Sequence, residues 1–350
     1  MTDAEKVELP QARFYLFGMG NRRKLLYREG KLLDLMSRKV LREWPVISDD
    51  IRASDYAVTL KLQNGKRVTL HENDRGVWID EEATGVTCLA TGAVNLPRFE
   101  GHPHQAMLRA LHQEILINIV DGKPVPNLLC YPRPWYRDAA MMCMCLEKTG
   151  NLDLVRKWIL ELREPFDRNA RGSREPDNLG QALYMISLVS DRSHPLVDTI
   201  LKAADGFARE DHLAGITDGA EYPVFQTKWM KFGLDKLGLS DPYRIPKVYD
   251  LYSALFWMAY VDQHVPGAGF SQRSKQRYPY LGWAEDHFHR RPPTSPAGDG
   301  PYPLTWEAGA DQADFPRMSI VLDRYVERRI CAPHAWHAAE MFLYYLDRET

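Results

Sequence analysis

Tyr131-Pro-Arg-Pro-Trp-Tyr-Arg-Asp-Ala-Ala140 is the stretch on which the reading of the fold turns. Its prolines and aromatic rings make a stiff run that cannot be helix. Arg137-Asp138 then opens a segment rich in Ala, Met and Leu. Asp138 is placed to cap that helix, where free N–H groups and the dipole favour a carboxylate. Alone, an Arg-Asp pair at a helix start is an ordinary cap. The same pattern, a polar cluster followed by a helix, recurs downstream, and the recurrence points to a site.

Upstream of this stretch the sequence reads as strand. Phe14–Phe17, Lys24–Tyr27 and Lys31–Leu35 are short apolar runs separated by Gly18, Gly20 and Gly30. Ala57–Leu62 and Arg67–His71 flank Asn64-Gly65, a hairpin signal with type I′ turn chemistry. Arg75–Ile79 adds a further strand, so residues 1–97 are expected to form a small antiparallel β unit. Gly18-Met-Gly-Asn-Arg-Arg lacks the third glycine and the Gly-Lys-Ser/Thr ending of a phosphate loop, and is not read as one.

Downstream, apolar residues fall at helical spacing. Met107, Leu108, Leu111, Ile115 and Ile119 mark one helix. Others are expected near 138–149, 151–163, 177–190, 194–209, 222–237, 247–263, 311–329 and 334–347, with a shorter one near 280–290. Turns of a few residues join many of them, which predicts a succession of antiparallel helical hairpins. Residues 267–303 form the longest stretch without regular pattern. The expected class is mainly α, an (α/α)6-type helical toroid, possible as an incomplete ring, over 98–350, with the β unit before it.

Composition sets wide bounds. The chain has 350 residues, 45% hydrophobic and 26% charged, with a formal net charge of −2. Such a balance provides no bulk electrostatic case for nucleic acid or an anionic membrane as partner. No run approaches the roughly 18 apolar residues of a membrane span. The polar start Met1-Thr-Asp-Ala-Glu-Lys lacks the apolar core of a signal peptide. The cysteines (Cys88, Cys130, Cys143, Cys145, Cys331) show no CxxC spacing, so reduced thiols and a cytoplasmic location are expected, with no metal or cofactor.

The loops before the helices hold the chemistry. Arg174-Glu-Pro-Asp-Asn178, Thr217-Asp-Gly-Ala-Glu-Tyr222 with Gln226, Tyr249-Asp250, Gly282-Trp-Ala-Glu-Asp-His287, Thr305-Trp-Glu307 and Pro333-His-Ala-Trp336 carry acids, amides and rings. Gathered at one end of a ring of hairpins, they would line a pocket suited to a carbohydrate. Glycosidic cleavage needs a protonated carboxyl for the leaving oxygen and an ionised carboxylate opposite. His334, His337 and Glu340 share a helical face at ligand-like spacing. Without an HExxH pattern they read as a helix end with satisfied histidines.

Trp135-Tyr-Arg-Asp138, Arg174-Glu-Pro-Asp-Asn178, Thr305-Trp-Glu307 and Pro333-His-Ala-Trp336 resemble motifs of the six-hairpin (α/α)6-barrel glycosidases, the group of glucoamylases, trehalases and processing α-glucosidases. The resemblance covers roughly residues 98–350. It implies that Arg137 and Asp138 grip a terminal sugar, that Asp177 is the general acid, and that Glu307 activates water with inversion. Trp135, Glu175, Asn178, Glu221, Gln226, Tyr249, Trp283, Glu285, Trp306, His334 and Trp336 complete the expected sugar contacts. Glu175, Glu221 and Glu285 rival the catalytic pair. The other readings are a sugar epimerase, isomerase or lyase that relies on His334 or His337, and a carbohydrate-binding or scaffold protein without turnover.

Overall fold

The structure is a computed structural model that describes residues 9–169, 172–248, 250, 269–277, 281–282, 285–286, 291, 301–310 and 312–347. Along the chain, strands β1 (Phe14–Phe17), β2 (Leu25–Arg28), β3 (Lys31–Asp34) and β4 (Val40–Glu43) precede β5 (Val46–Arg52), β6 (Ala57–Leu62), β7 (Arg67–Glu72), β8 (Gly76–Glu81) and β9 (Gly85–Thr91). Helices α1 (Gln105–Ile117), α2 (Tyr136–Lys148), α3 (Arg156–Leu160), α4 (Asp177–Ser187), α5 (Leu196–Ala204), α6 (Pro223–Lys236), α7 (Gln272–Arg277), α8 (Asp323–Glu327) and α9 (Ala335–Leu346) follow.

This is a mixed α/β chain, 34% helix and 22% strand. The mainly α toroid, and with it the resemblance to the six-hairpin glycosidases, is corrected by that content and by antiparallel sheets of four and five strands. The expected helices were read too long. Residues 194–209 hold only α5, and Ala208–Arg209 pairs with His212–Leu213 as a two-residue ladder. Residues 311–329 hold a 3-10 helix at Phe315–Ile320 and the short α8. The helix expected at 247–263 lies almost wholly outside the described residues.

The chain divides into two compact units. One comprises the described residues of Glu8–Pro134, Met144–Val155 and Asp299–Thr350; the other, those of Trp135–Cys143 and Arg156–Gly298. In the first, β1 to β4 and β5 to β9 form two antiparallel meanders. Tyr15, Phe17, Tyr27, Val58, Leu60, Leu70 and Ile79, from both sheets, share one apolar cluster. Period-two alternation buries Val58, Leu60 and Leu62 of β6 opposite Val68 and Leu70 of β7. The β6–β7 connection differs from expectation: only Gly65 (φ 81°) of Asn64-Gly65 has positive φ, so the turn is not type I′. The closing bonds, Leu62 N–H to Lys66 O and Gly65 N–H to Leu62 O, leave Gln63, Asn64 and Gly65 as a three-residue loop. In the same unit α1 packs on α9.

In the second unit α4 lies against α6 at backbone distance. A Cβ on Gly180 would stand 2.1 Å from the Trp229 carbonyl carbon, and one on Gly233 would stand 2.6 Å from the Gly180 oxygen. Tyr184 flanks the crossing and meets Trp229 and Phe232 at ring-centroid distances of 6.1 and 5.0 Å. In an open helix Gly→Ala stabilises by about 1 kcal/mol. Here Gly180→Ala is expected to destabilise by about 2–4 kcal/mol, because backbone cannot give way as a side chain can. A urea midpoint unchanged or raised in this variant would refute the close crossing.

Candidate functional site

The crossing of α4 and α6 builds a buried polar cluster in the second unit. Arg137, in the first turn of α2, extends its guanidinium between two carboxylates: Nη2 donates to Glu175 Oε2 at 2.9 Å and Nη1 to Asp177 Oδ2 at 3.0 Å. All three side chains are at most 5% exposed. One turn along α4, Gln181 Nε2 donates to Asp177 Oδ2 at 2.9 Å, and Asn178 Nδ2 donates to Gln181 Oε1 at 3.3 Å. On the other side Gln226 Nε2, from α6, donates to Thr217 Oγ1 at 3.0 Å, and that hydroxyl donates to Asp177 Oδ1 at 3.1 Å. The Asp218 N–H donates to Glu175 Oε1 at 2.9 Å. Thr217 and Asp218 belong to a hairpin, Ile216–Thr217 against Ala220–Glu221, which thus bonds both carboxylates.

Burial drives the electrostatics. It pushes the Asp177 carboxyl up to about 6; the Arg137 guanidinium pulls it down, while Glu175 and Asp167 add negative charge that raises it. Asp167 is likewise raised by burial. Its carboxylate accepts the Tyr136 N–H at 2.5 Å and so satisfies an open donor at the start of α2. Asp138, the residue expected to cap this helix, lies within its first turn, after the cap position, and is buried. On α6 the buried Lys228 amine falls to about 7 through desolvation, against the pull of Asp250.

The structure therefore brings Arg137, Glu175, Asp177, Asn178 and Gln226 into one network and adds Asp167 and Gln181, which the sequence reading did not name, and Thr217, which it named only as the start of an acidic loop. Gln181 was within reach of that reading, since four residues after Asp177 it shares its helical face. Other candidates in this unit stand outside the network. Glu221 is exposed and accepts the Gly215 N–H at 3.2 Å. Glu285 has its own ion pairs, 3.0 Å each to Lys275 and Arg291. Although burial raises its carboxyl, the Phe270 N–H and Lys275 hold it below the ordinary value. Trp135 is half-buried just before α2. Tyr249 and Trp283 lie outside the described residues.

A second polar group is found in the sheet unit, where Glu307, Trp306, His334 and Trp336 reside. Glu307–Ala308 pairs with Ile330–Cys331, and that ladder sets Glu307 Oε2 3.2 Å from His334 Nε2. The imidazole is buried while the carboxylate is 29% exposed. The His337 ring lies 4.6 Å from that of His334 and stacks with Trp336. The loop before Glu307 is held by Glu114 of α1, which accepts the Leu304 N–H at 2.5 Å, the Thr305 N–H at 3.0 Å and the Thr305 hydroxyl. Burial pushes Glu114 up to about 8 against those bonds. In the same unit the Gly18–Arg23 turn does cradle an anion, an internal one. Gly18 N–H and Met19 N–H donate to the buried Glu72 carboxylate at 2.9 and 2.7 Å, and Arg22 Nη1 joins them at 2.8 Å.

Compared with protein-family models, curated proteins and solved structures, the chain matches none. Among the described residues no helix is long and apolar enough to cross a membrane, and no group of three or more His, Cys, Asp or Glu could hold a metal ion.

Glu114 binds its proton more tightly folded than unfolded. Its contribution to stability is thus complete below the ordinary pKa of 4.5 and fades as pH rises through about 8. Urea unfolding is expected to show Glu114→Gln losing less stability than the parent between pH 5 and pH 8. Equal losses in the two proteins would mean that Glu114 is ionised in the fold at pH 5.

Proposed function

We propose that this chain is a carbohydrate-active enzyme, a hydrolase acting on the terminal sugar of a small glycoside. The observation that carries the reading is the buried Asp177 carboxyl, which keeps its proton to about pH 6 while bonded to the Arg137 guanidinium that also holds Glu175. Enzymes that cleave glycosidic bonds need a carboxyl whose proton is available near neutrality and a carboxylate that stays ionised. In this reading Asp177 gives its proton to the leaving oxygen, a water attacks the anomeric carbon, and a second carboxylate takes the water's proton. Arg137, Asn178, Gln181 and Gln226 supply the fixed donors and acceptors that select hydroxyl groups. Access to Asp177 requires the Ile216–Glu221 hairpin to lift, and its two-residue ladder and exposed Ile216 make that a small opening.

The charge of the cluster selects the substrate class. Even with Asp177 protonated, the carboxylates of Glu175 and Asp167 outnumber the Arg137 guanidinium beside them, so neutral sugars suit the site better than uronides or sugar phosphates.

A second reading rests on the sheet unit. The carboxylate–imidazole pair of Glu307 and His334, 3.2 Å apart, is a proton-transfer unit of the kind an epimerase or lyase uses.

A panel of neutral and anionic α- and β-glycosides, followed by NMR in deuterated water, separates these readings. Hydrolysis predicts released neutral sugar, with kcat lowered about 10²–10⁴-fold in Asp177→Asn at unchanged fold. Glu175→Gln, run beside it, asks whether Glu175 is the second carboxyl. Deuterium entering a carbon position of the sugar, lost in His334→Asn but kept in Asp177→Asn, would establish the second reading. Turnover that survives Asp177→Asn without such exchange would remove Asp177 from the chemistry.

A further inference from the structure

The Ile216–Glu221 hairpin is seated on the polar cluster chiefly by the cluster itself. Thr217 is its buried residue, while Ile216, Asp218, Gly219, Ala220 and Glu221 are exposed. Its ladder consists of Ile216 with Glu221 and Thr217 with Ala220, too short to be stable alone. The bonds that hold it down come from the site. Thr217 Oγ1 donates to Asp177 Oδ1 at 3.1 Å, and the Asp218 N–H donates to Glu175 Oε1 at 2.9 Å. At the base, Gln226 Nε2 donates to the Gly215 carbonyl at 2.7 Å.

The bonds of the Asp177 carboxyl show what Thr217 stands in for. Oδ2 accepts Arg137 Nη1 at 3.0 Å and Gln181 Nε2 at 2.9 Å, both of them N–H groups that only donate. A proton on Asp177 therefore sits on Oδ1, whose side-chain partner among the described residues is the Thr217 hydroxyl. That hydroxyl oxygen accepts Gln226 Nε2 at 3.0 Å and has a second lone pair for Oδ1–H. It lies one hydrogen bond from the acid proton, where the leaving oxygen of a glycoside has to lie. We propose that the hairpin is an autoinhibitory strap: the Thr217 hydroxyl holds the place of the leaving oxygen on Asp177, and the Asp218 N–H holds that of a substrate hydroxyl on Glu175. The inference rests on Asp177 as the proton donor. A neutral sugar enters by replacing both bonds with its own, and it binds the molecules whose strap is raised. Apparent affinity falls in proportion to that fraction.

Thr217→Val keeps the shape of the side chain and removes the bond to Asp177. Amide exchange of Asp218, followed by NMR in the intact protein without ligand, should run about tenfold faster in this variant, the worth of one hydrogen bond. Thr217→Ser, which keeps the hydroxyl, should exchange as the parent does. With neutral p-nitrophenyl α- and β-glucosides and galactosides, kcat/KM should rise by up to about tenfold in Thr217→Val through a lower KM. Thr217→Ala repeats the comparison should Thr217→Val melt earlier than the parent. Unchanged exchange in both variants that lack the hydroxyl, or faster exchange with a reduced kcat/KM, would overturn the strap. If no glycoside turns over in any of these proteins the hydrolase reading fails, while exchange quickened by loss of the hydroxyl alone still supports the strap.

Discussion

Gly180 and Gly233 let two helix backbones touch, and the polar cluster depends on that contact. With a Cβ at either position α4 and α6 would separate by an ångström or more. The bonds that run from Gln226 through Thr217 to Asp177 are 3.0 and 3.1 Å long and have no slack to absorb such a shift. A glycine in mid-helix lowers helix propensity, and the chain accepts that at two facing positions. What it obtains is a low-dielectric pocket between elements in which Arg137 can hold two carboxylates and burial can raise the Asp177 pKa.

Buried charge recurs in the sheet unit with a different resolution. Glu72 continues the inward-facing row of β7, where Val68 and Leu70 precede it, and two backbone N–H groups and Arg22 meet it there. Lys24, beside it, donates to the carbonyls of Gly18 and Gly20. A carboxylate with so many fixed donors is a strut, and removing one partner would strand the other in an apolar layer. Glu114 has donors too, and in both carboxyls burial outweighs the donors and raises the pKa. In the helical unit burial raises Asp177 as well, and the carboxylates of Glu175 and Asp167 add to that rise against the pull of Arg137, so its proton stays exchangeable near pH 6.

Much of this was legible in the sequence at the level of elements. β1, β2, β3, β6, β7 and β8 follow from apolar runs and alternation, and α1, α2, α4, α6 and α9 from helical spacing. The strands that were missed, β4, β5 and β9, are rim strands that face water, so they lack the alternation that marks a half-buried strand. Ser48-Asp49-Asp50 in the middle of β5 reads as loop by composition alone. The architecture was misread because short apolar runs cannot show where a helix stops. Extending α5 overran the ladder at Ala208–Arg209, and reading 311–329 as one helix fused a 3-10 helix with the short α8, which made the chain look like a toroid of hairpins. Site residues were legible where acids cluster before a helix, as with Glu175 and Asp177. Thr217 and Asp167 were not, because their role comes from tertiary placement of ordinary loop residues.

The central claim is that Asp177 carries an exchangeable proton in a sugar-binding cluster. It is tested most directly by 13C NMR of carboxyl-labelled aspartate in the intact protein, with the Asp177 signal assigned by its loss in Asp177→Asn. The account predicts a titration midpoint near 6 that moves when a neutral sugar binds. A midpoint near the ordinary 3.8, unmoved by any sugar on the panel, would contradict it and make the Arg137 network a purely structural ion cluster.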